Sequence, residues 1–289
     1  MSLLFNRAEV RALMRSGQST AQKRLGQHFL VDKDTLDTII VTAELAPRAR
    51  VLEIGPGLGG LTHALAKHLP NGLVLAIEKD RALVEFLRRE FAKCKQVKIV
   101  ASDILATPLS ELLIAPYQIV ANLPYSITSP VLTKFLLGDY RNRAQDKAPR
   151  PESMTLLIQK EVAERLTALP GSRARGILTV LIELFGTARI IKIVSPEAFE
   201  PRPEVKSALL RLDLNQPKAD PWALHTLLKA GFANRRRQLH NSLGGSLHLS
   251  STETKQLLAQ AEIVPERRAE QLSLADWLRL LAILKKGEQ

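Results

Sequence analysis

Cysteine and aromatic residues are scarce in this chain of 289 residues. The single cysteine, Cys94, cannot form an internal disulfide and excludes a cysteine-rich metal site. Aromatic residues make up 4% of the chain, too few for a surface that stacks many bases along a nucleic-acid strand. The six histidines show no spacing typical of metal ligands. The sequence therefore predicts a protein without a metal site, in a compartment where thiols stay reduced.

Long apolar runs, internal repeats and low-complexity tracts are also missing from the sequence. Because no apolar run is long enough to span a bilayer, we expect a soluble, cytoplasmic protein. Residues 1–22 form a basic extension with apolar positions at Phe5, Val10 and Leu13. This extension has some traits of a mitochondrial presequence but not a complete one. The length suffices for one sizeable α/β core and a small second domain.

Positive charge dominates the composition. Lys and Arg number 41 against 29 Asp and Glu, which gives a formal net charge of +12. Such a charge attracts a phosphate backbone strongly and in a salt-dependent way. Many basic proteins bind no specific RNA, so the charge supports a nucleic-acid partner without identifying it.

A glycine-rich turn follows the first apolar strand. Residues 50–60 read RVLEIGPGLGG, and residues 61–69 then show the apolar spacing of a helix. This pattern predicts the first β-α unit of a nucleotide-binding sheet. Gly55, Gly57 and Gly60 satisfy the dinucleotide fingerprint, so an NAD-dependent dehydrogenase is an alternative at this point.

Acidic residues lie on or just after three successive strands. Glu53 lies in the first strand, Glu78 ends a second strand at residues 73–77, and Asp103 follows a third at residues 97–101. An acid in the place of Glu78 can bind both hydroxyls of a ribose, and Asp103 can accept a hydrogen bond from a cofactor adenine. Because ligands of open α/β sheets bind at the carboxyl ends of the strands, we expect these groups to meet in one crevice.

The fourth strand ends in the turn Asn122, Leu123, Pro124 and Tyr125. The side-chain carbonyl of Asn122 and the main-chain carbonyl of Leu123 can accept hydrogen bonds from the exocyclic amine of a base. Pro124 pushes Leu123 into an extended conformation, and Tyr125 supplies a flat face for an unstacked base. The turn therefore suits chemistry on the amine of a flipped adenine. An ordinary strand-to-helix turn explains these four residues equally well.

Seven motifs follow one another along most of the chain: GQHFL (26–30), VLEIGPGLG (51–59), IEKD (77–80), SDIL (102–105), ANLPYSITSP (121–130), QKEVAERL (159–166) and AFEPRPEVKSALLRL (198–212). Their order resembles the ribosomal RNA small-subunit adenine dimethyltransferase family. The resemblance implies that S-adenosylmethionine supplies two methyl groups to the N6 amine of each of two adjacent adenosines, in a hairpin near the 3′ end of 16S rRNA.

The resemblance also implies roles for single residues. His28 stands where many members of the family have Asn. Phe199 closes over the flipped adenine opposite Tyr125, because a base held between two rings regains its lost stacking. Without the resemblance, a core aromatic beside a proline turn explains Phe199 better. The implied cofactor-binding residues are His28, Leu30, Glu53, Gly55, Gly57, Glu78, Asp103 and Asn122, and the implied catalytic set is Asn122, Leu123, Pro124, Tyr125 and Phe199.

We expect a Rossmann-like methyltransferase domain at residues 23–215, after the extension at residues 1–22. Strands at residues 154–158, 190–194 and 207–212 would complete a seven-stranded sheet, with the last strand antiparallel. A polar insertion at residues 139–152 is expected to be a solvent loop. Two positions depart from the family: Arg175 replaces an aromatic residue and Thr179 replaces a serine, so contacts at the rim of the site are expected to differ.

Residues 216–289 show helical patterns only, which predicts a small helical RNA-binding domain. Its helices are expected at residues 222–233, 251–260 and 273–284. Arg235, Arg236 and Arg237 concentrate positive charge as a phosphate-gripping helix would, although such a run is more often a solvated face.

The expected partner is small-subunit rRNA in a 30S pre-ribosomal particle, with the protein acting as a monomer away from membranes. Three alternatives remain open from the sequence. A large-subunit rRNA or DNA adenine methylase would share the turn at residues 122–125. An NAD-dependent dehydrogenase is disfavoured by that turn. A ribosome-assembly or transcription factor on an inactive scaffold would bind without catalysis, yet every catalytic position is intact.

Overall fold

The computed structural model describes residues 6–15, 28–108, 116–138 and 149–287. Most of the insertion expected at residues 139–152 lies outside the described residues. The helices are α1 (Arg7–Arg15), α2 (Lys33–Ala43), α3 (Gly60–His68), α4 (Arg81–Glu90), α5 (Thr128–Leu137), α6 (Lys160–Leu166), α7 (Ile177–Phe185), α8 (Pro221–Phe232), α9 (Leu239–Leu247), α10 (Ser251–Gln260) and α11 (Leu274–Gly287). The strands are β1 (Phe29–Leu30), β2 (Arg50–Ile54), β3 (Leu73–Glu78), β4 (Val97–Ala101), β5 (Gln118–Asn122), β6 (Ser153–Gln159), β7 (Gly186–Val194), β8 (Phe199–Glu200) and β9 (Ser207–Leu214).

Seven of the strands form one sheet in the order β4-β3-β2-β5-β6-β9-β7. The strands from β4 to β6 run parallel, and β9 pairs with β6 antiparallel from Ser153↔Asp213 to Gln159↔Ser207. This confirms the predicted seven-stranded α/β sheet. The chain moves outward from β2 to β4 and then returns to place β5 beside β2. Such a reversal opens a ligand crevice at the carboxyl ends of the two central strands.

The central strands consist of nearly continuous apolar residues because helices cover the parallel sheet. Leu36 and Ile39 of α2 and Leu65 of α3 are buried in one core cluster with Val74 of β3 and Val120 of β5. Each such side chain contributes about 1.5–3 kcal/mol by leaving water. The packing fixes the strand ends, and therefore the groups that follow them.

A second, two-stranded sheet joins distant parts of the chain. β1 and β8 pair antiparallel, with Phe29 opposite Glu200 and Leu30 opposite Phe199. The Val31 N–H extends this ribbon by donating to the carbonyl of Ala198 at 2.8 Å. The N-terminal segment is thereby fixed to the segment that follows β7.

The chain divides into two compact units. The first comprises Met1–Ala163 and Arg189–Leu214, and the second comprises Glu164–Ala188 and Asn215–Gln289. The second unit thus takes in residues 164–188 from the middle of the chain. The boundaries expected at residues 22 and 215 stay predictions. No helix among the described ranges is long and apolar enough to cross a membrane.

The second unit packs around Trp277 of α11, which is fully buried. Gly231 of α8 permits a close helix contact, because a Cβ at this position would lie 2.4 Å from the Trp277 ring. Arg175 is also fully buried: its guanidinium donates to both carboxylate oxygens of Glu183 at 2.6 Å and to the carbonyl of Ala168 at 2.9 Å. The altered rim contact expected at Arg175 is therefore wrong, since this side chain lies inside the helical unit.

Candidate active site

Two adjoining cavities lie at the carboxyl ends of the parallel strands. The first spans about 830 Å³ and the second about 660 Å³, each including space open to solvent, and both are lined by Gly55, Glu78 and Pro124. Asp103 lines only the second. The predicted residues that line the first are His28, Leu30, Glu53, Gly55, Gly57, Glu78, Asn122, Leu123, Pro124 and Tyr125. The structure therefore brings nearly all of the predicted cofactor and catalytic residues to one crevice.

The turn after β2 adopts a backbone that only glycine tolerates easily. Gly55 and Gly57 have φ values of +66° and +59°, in the left-handed region. A Cβ on Gly57 would lie 3.0 Å from the ring of Phe29. The turn can therefore approach both the N-terminal segment and a ligand closely before α3 begins at Gly60.

Glu78 ties the end of β3 to this turn. Its Oε1 accepts from the N–H groups of Lys79 at 2.8 Å and Asp80 at 2.9 Å, and its Oε2 accepts from the Gly57 N–H at 3.3 Å. Burial raises the pKa of the Glu78 carboxyl, although these backbone donors oppose the shift. The arrangement holds the carboxyl at the cavity wall, where it can receive the hydroxyls of a ribose.

Glu53 presents an unsatisfied oxygen. The side chain is buried, lines the first cavity, and its Oε2 has no hydrogen-bond partner within the described part of the chain. Burial raises the pKa of Glu53 to about 8. A buried polar atom without a partner is costly, so the site suits a ligand that brings a cation or a hydrogen-bond donor.

Replacement of Glu53 by glutamine should flatten the pH dependence of the ligand-free protein's stability. The folded pKa is raised, so the stability contributed by this carboxyl is complete below pH 4.5, the ordinary pKa of a glutamate, and is lost as pH rises toward about 8. Glutamine cannot ionise, so the gain in melting temperature over the parent should grow across that window. Thermal unfolding from pH 5 to about pH 9 measures it. Glu85→Gln, in an exposed position of α4, is the control, and parallel profiles for parent and Glu53→Gln would contradict the expectation.

Asp103 lies at the second cavity with both oxygens engaged. Lys79 Nζ donates to Oδ2 at 2.8 Å and the Leu105 N–H donates to Oδ1 at 2.9 Å. The hydrogen bond from Lys79 lowers the pKa of this carboxyl. Lys134 of α5 holds the same loop by donating to the carbonyls of Ile104 and Thr107 at 2.8 and 2.7 Å. Sequence inspection missed Lys134, since it looks like any cation in the last turn of a helix.

Asn122 is oriented by the N-terminal segment. Its Nδ2 donates to the carbonyl of His28 at 3.0 Å, so its Oδ1 acceptor is turned away from that bond. The Leu123 N–H donates to the carbonyl of Leu157 at 3.1 Å, which fixes the peptide to β6. Pro124 lies beside the glycine turn, 3.6 Å from a Cβ placed on Gly55. Two acceptor-bearing residues are thus held rigidly against the glycine turn.

Tyr125 is anchored at both its ring and its hydroxyl. The ring centroid lies 5.5 Å from that of His28, with an interplanar angle of 34°. The hydroxyl lies 2.7 Å from the Oγ of Ser207 at the start of β9. His28 is held in turn, with Nδ1 2.8 Å from the carbonyl of Pro201. Ser207 belongs to the motif at residues 198–212, but nothing in the sequence indicates its contact with Tyr125.

Phe199 is not brought into either cavity. Its side chain is buried in the core cluster that contains Leu36 and Ile39 of α2. A buried ring is what the sequence predicts if Phe199 is a core aromatic rather than a residue of the site. A role for Phe199 over a target base stays a prediction.

The arginine run lies in the turn between α8 and α9 and not in a helix. Arg235 donates from Nη2 to the carbonyls of Arg173 at 2.6 Å and Arg175 at 2.8 Å, which commits its guanidinium to the protein. Arg236 and Arg237 are exposed. Arg235 is exposed as well, but within this run it alone has a guanidinium bonded to protein carbonyls, so Arg236 and Arg237 are freer to meet phosphates.

Comparison with known proteins gives one consistent result. The model of the ribosomal RNA adenine dimethylase family matches residues 18–286. A ribosomal RNA small subunit methyltransferase A of Thermosynechococcus vestitus is 41% identical over 93% of this chain and 98% of its own length. A protein of the same name from Dehalococcoides mccartyi strain CBDB1 is 38% identical over 94% of this chain and 91% of its own length.

Solved structures resemble the whole fold. A dimethyladenosine transferase from Plasmodium falciparum superimposes with a TM-score of 0.70 at 26% identity, covering 90% of this chain and 98% of that one. A 23S rRNA methyltransferase superimposes with a TM-score of 0.66 at 27% identity, covering 89% and 99%. Both coverages extend well beyond the sheet alone.

Proposed function

Because the chain belongs to the ribosomal RNA adenine dimethylase family, we propose that it dimethylates the N6 amines of two adjacent adenosines in small-subunit rRNA. The observation that carries the proposal is the orientation of Asn122, whose Nδ2 is bound to His28 and whose Oδ1 is left to accept from an amine. The curated relatives named as small-subunit methyltransferases support the choice of subunit.

The residues of the crevice fit S-adenosylmethionine, which would supply an electrophilic methyl group. Glu78 would bind the ribose and Asp103 the adenine amino group, while the glycine turn allows the methionine part to approach the backbone. The unsatisfied oxygen of Glu53 fits the positive charge of such a ligand. The class I methyltransferase fold supports the same donor.

The protein's part in the reaction is mainly positioning. The lone pair of the adenine amine is delocalised into its ring, so the amine must be held while it attacks. The Asn122 side-chain carbonyl and the Leu123 main-chain carbonyl can each accept a hydrogen bond from one of its two N–H groups, and the fixed ring of Tyr125 can support the base. Alignment of this kind contributes a large part of the rate without a dedicated base.

The same proposal extends to the partner and the setting. The protein would act as a monomer on a 30S pre-ribosomal particle in the cytoplasm, within small-subunit biogenesis. Arg236 and Arg237 in the helical unit would meet phosphates of the rRNA. The net charge of +12 is consistent with such an electrostatic partner.

Replacement of Arg236 and Arg237 together by glutamine should weaken binding to the 30S particle and reduce its salt dependence. Loss of two phosphate contacts should lower the slope of log affinity against log salt by about one to two. Arg235→Gln should instead lower the melting temperature and leave the slope nearly unchanged, because Arg235 serves two carbonyls. Binding titrations at several salt concentrations measure both effects.

A control with equal loss of charge replaces the exposed Lys218 and Lys255 of the same unit by glutamine. An equal change of slope in this control would mean that only overall charge matters. An unchanged slope in the arginine pair would mean that the run is a solvated face.

Incubation with labelled S-adenosylmethionine and unmethylated 30S or 50S particles tests the function directly. We expect label in two adjacent adenosines of 16S rRNA, recovered as N6,N6-dimethyladenosine. Label confined to 50S particles would favour the large-subunit alternative, because the structure of a 23S rRNA methyltransferase is also similar to this chain. Binding of particles and cofactor without methyl transfer would favour an assembly factor, and preference for NAD in calorimetry would revive the dehydrogenase.

A further inference from the structure

Helix α1 lies outside the part of the chain that the family model matches. The match to the family begins at residue 18, whereas α1 spans Arg7–Arg15. Nevertheless α1 contacts the crevice. Val10 is buried against Phe29, Leu58 and Leu83, and it is one of the residues that line the first cavity. Val10 of α1 therefore forms part of the cavity wall.

Two arginines of α1 converge on one carboxylate. Arg7 Nη1 lies 3.2 Å from Glu200 Oε2, and Arg11 contributes Nε at 3.0 Å from Oε1 and Nη2 at 3.1 Å from Oε2. Arg7 also donates to the carbonyl of Phe199 at 3.1 Å and to that of Glu197. The Glu200 side chain is buried, and the hydrogen bond from Arg11 lowers its pKa.

The contacts of α1 reach the cofactor segment through the β1-β8 ribbon. Glu200 lies opposite Phe29 in that ribbon, and Phe29 packs against the turn at Gly57. His28 and Leu30, on either side of Phe29, line the cavity. The ion pairs that hold Glu200 in place therefore also hold the cavity wall that His28 and Leu30 form.

We propose that α1 completes the cofactor site of this chain, with Val10 as a wall residue and Arg7 and Arg11 as positioning residues that hold the β1-β8 ribbon over the cavity. This inference rests on the proposed function, since it assumes that S-adenosylmethionine binds in the crevice. The ion pairs are partly exposed, at 33% for the Arg7 side chain and 58% for that of Arg11. Salt screens such pairs, so retention of the cofactor should weaken as ionic strength rises.

The test measures how fast labelled S-adenosylmethionine leaves the full-length protein after a chase with unlabelled cofactor, at low and at high ionic strength. The variants are Arg7→Gln with Arg11→Gln, Glu200→Gln, all three together, and Val10→Ala. Arg48→Gln removes an exposed arginine elsewhere in the same unit and is the matched control. Thermal unfolding of each variant shows which of them are folded.

We expect the double arginine variant to release the cofactor about three- to tenfold faster at low ionic strength, and to lose most of the salt dependence of release. Glu200→Gln should also lose most of the salt dependence but speed release less, because Arg7 keeps its bonds to the carbonyls of Phe199 and Glu197. The triple variant should add little to the double arginine variant, because the carboxylate has then already lost both partners. Val10→Ala should speed release while retaining the salt dependence. Arg48→Gln should behave as the parent.

Release rates that stay at the parental value in folded arginine and Glu200 variants would overturn the role of α1. If these variants change the melting temperature but not the release rate, α1 only stabilises the fold, and the proposed role of α1 is overturned as well. If the parent protein does not bind S-adenosylmethionine, the proposed function fails together with the role of α1. If the parent binds it and the variants behave as the parent, the role of α1 alone fails.

Discussion

Asn122→Ala should lower the rate of methyl transfer by about 10²- to 10³-fold, the scale seen when one positioned hydrogen-bonding group is removed from an active site. Alanine removes the Oδ1 acceptor that would hold the target amine, and no neighbouring side chain replaces it in the described turn. Affinity for S-adenosylmethionine should fall far less, because the other predicted cofactor-binding residues of the crevice stay in place, although the bond from Nδ2 to His28 is lost. Single-turnover methylation of 30S particles at saturating cofactor, with calorimetry in parallel, measures both quantities.

Asn122→Asp is the informative companion to this variant. Aspartate retains an acceptor oxygen but cannot donate to the His28 carbonyl, so we expect turnover between that of the parent and that of Asn122→Ala. Near-normal turnover in Asn122→Ala would exclude the proposed alignment of the amine. Equal losses of turnover and of cofactor affinity would instead assign Asn122 to cofactor binding alone.

Phe199→Ala should cost about 3–5 kcal/mol of the free energy of unfolding, the range for removing a buried aromatic ring from a core. The ring is buried with Leu36 and Ile39, and its loss would leave a cavity in that core cluster. Denaturant unfolding measures the cost. This variant alone does not separate packing from a contact with the target base, because an unstable enzyme also loses activity.

Phe199→Leu separates the two roles. Leucine retains most of the apolar volume, so a packing role predicts small losses in both stability and turnover. A stacking role over adenine predicts a folded protein with strongly reduced turnover, since leucine offers no aromatic face. The position of the ring in the structure favours the first outcome.

The parallel sheet could be predicted closely from the sequence. Its strands are buried on both faces, so they appear as short apolar runs that end at polar residues. The third predicted strand, at residues 97–101, has the observed bounds of β4, and the second differs from β3 by one residue. The groups after these strands meet in one crevice because the topology brings the strand ends together. Their chemical roles stay predictions.

Contacts between distant residues could not be predicted. Asn122 bonds to a residue 94 positions away, and Tyr125 bonds to one 82 positions away, so no local pattern reveals either contact. Helix α9 was missed because Gly244 and Gly245 weaken its helical signal. Arg175 reads as an ordinary surface cation, and only the fold shows it buried beside Glu183.

The β1-β8 ribbon sets an order of events during synthesis. Residues 28–31 leave the ribosome early, but their partners at residues 198–200 are made only after about two-thirds of the chain. Until then Leu30 has no strand to pair with, and His28 has no Pro201 carbonyl to contact. β9, which follows directly, must also insert between β6 and β7. A nascent chain shorter than this lacks both β8 and β9, so the wall of the crevice that His28 and Leu30 supply is fixed only late in translation.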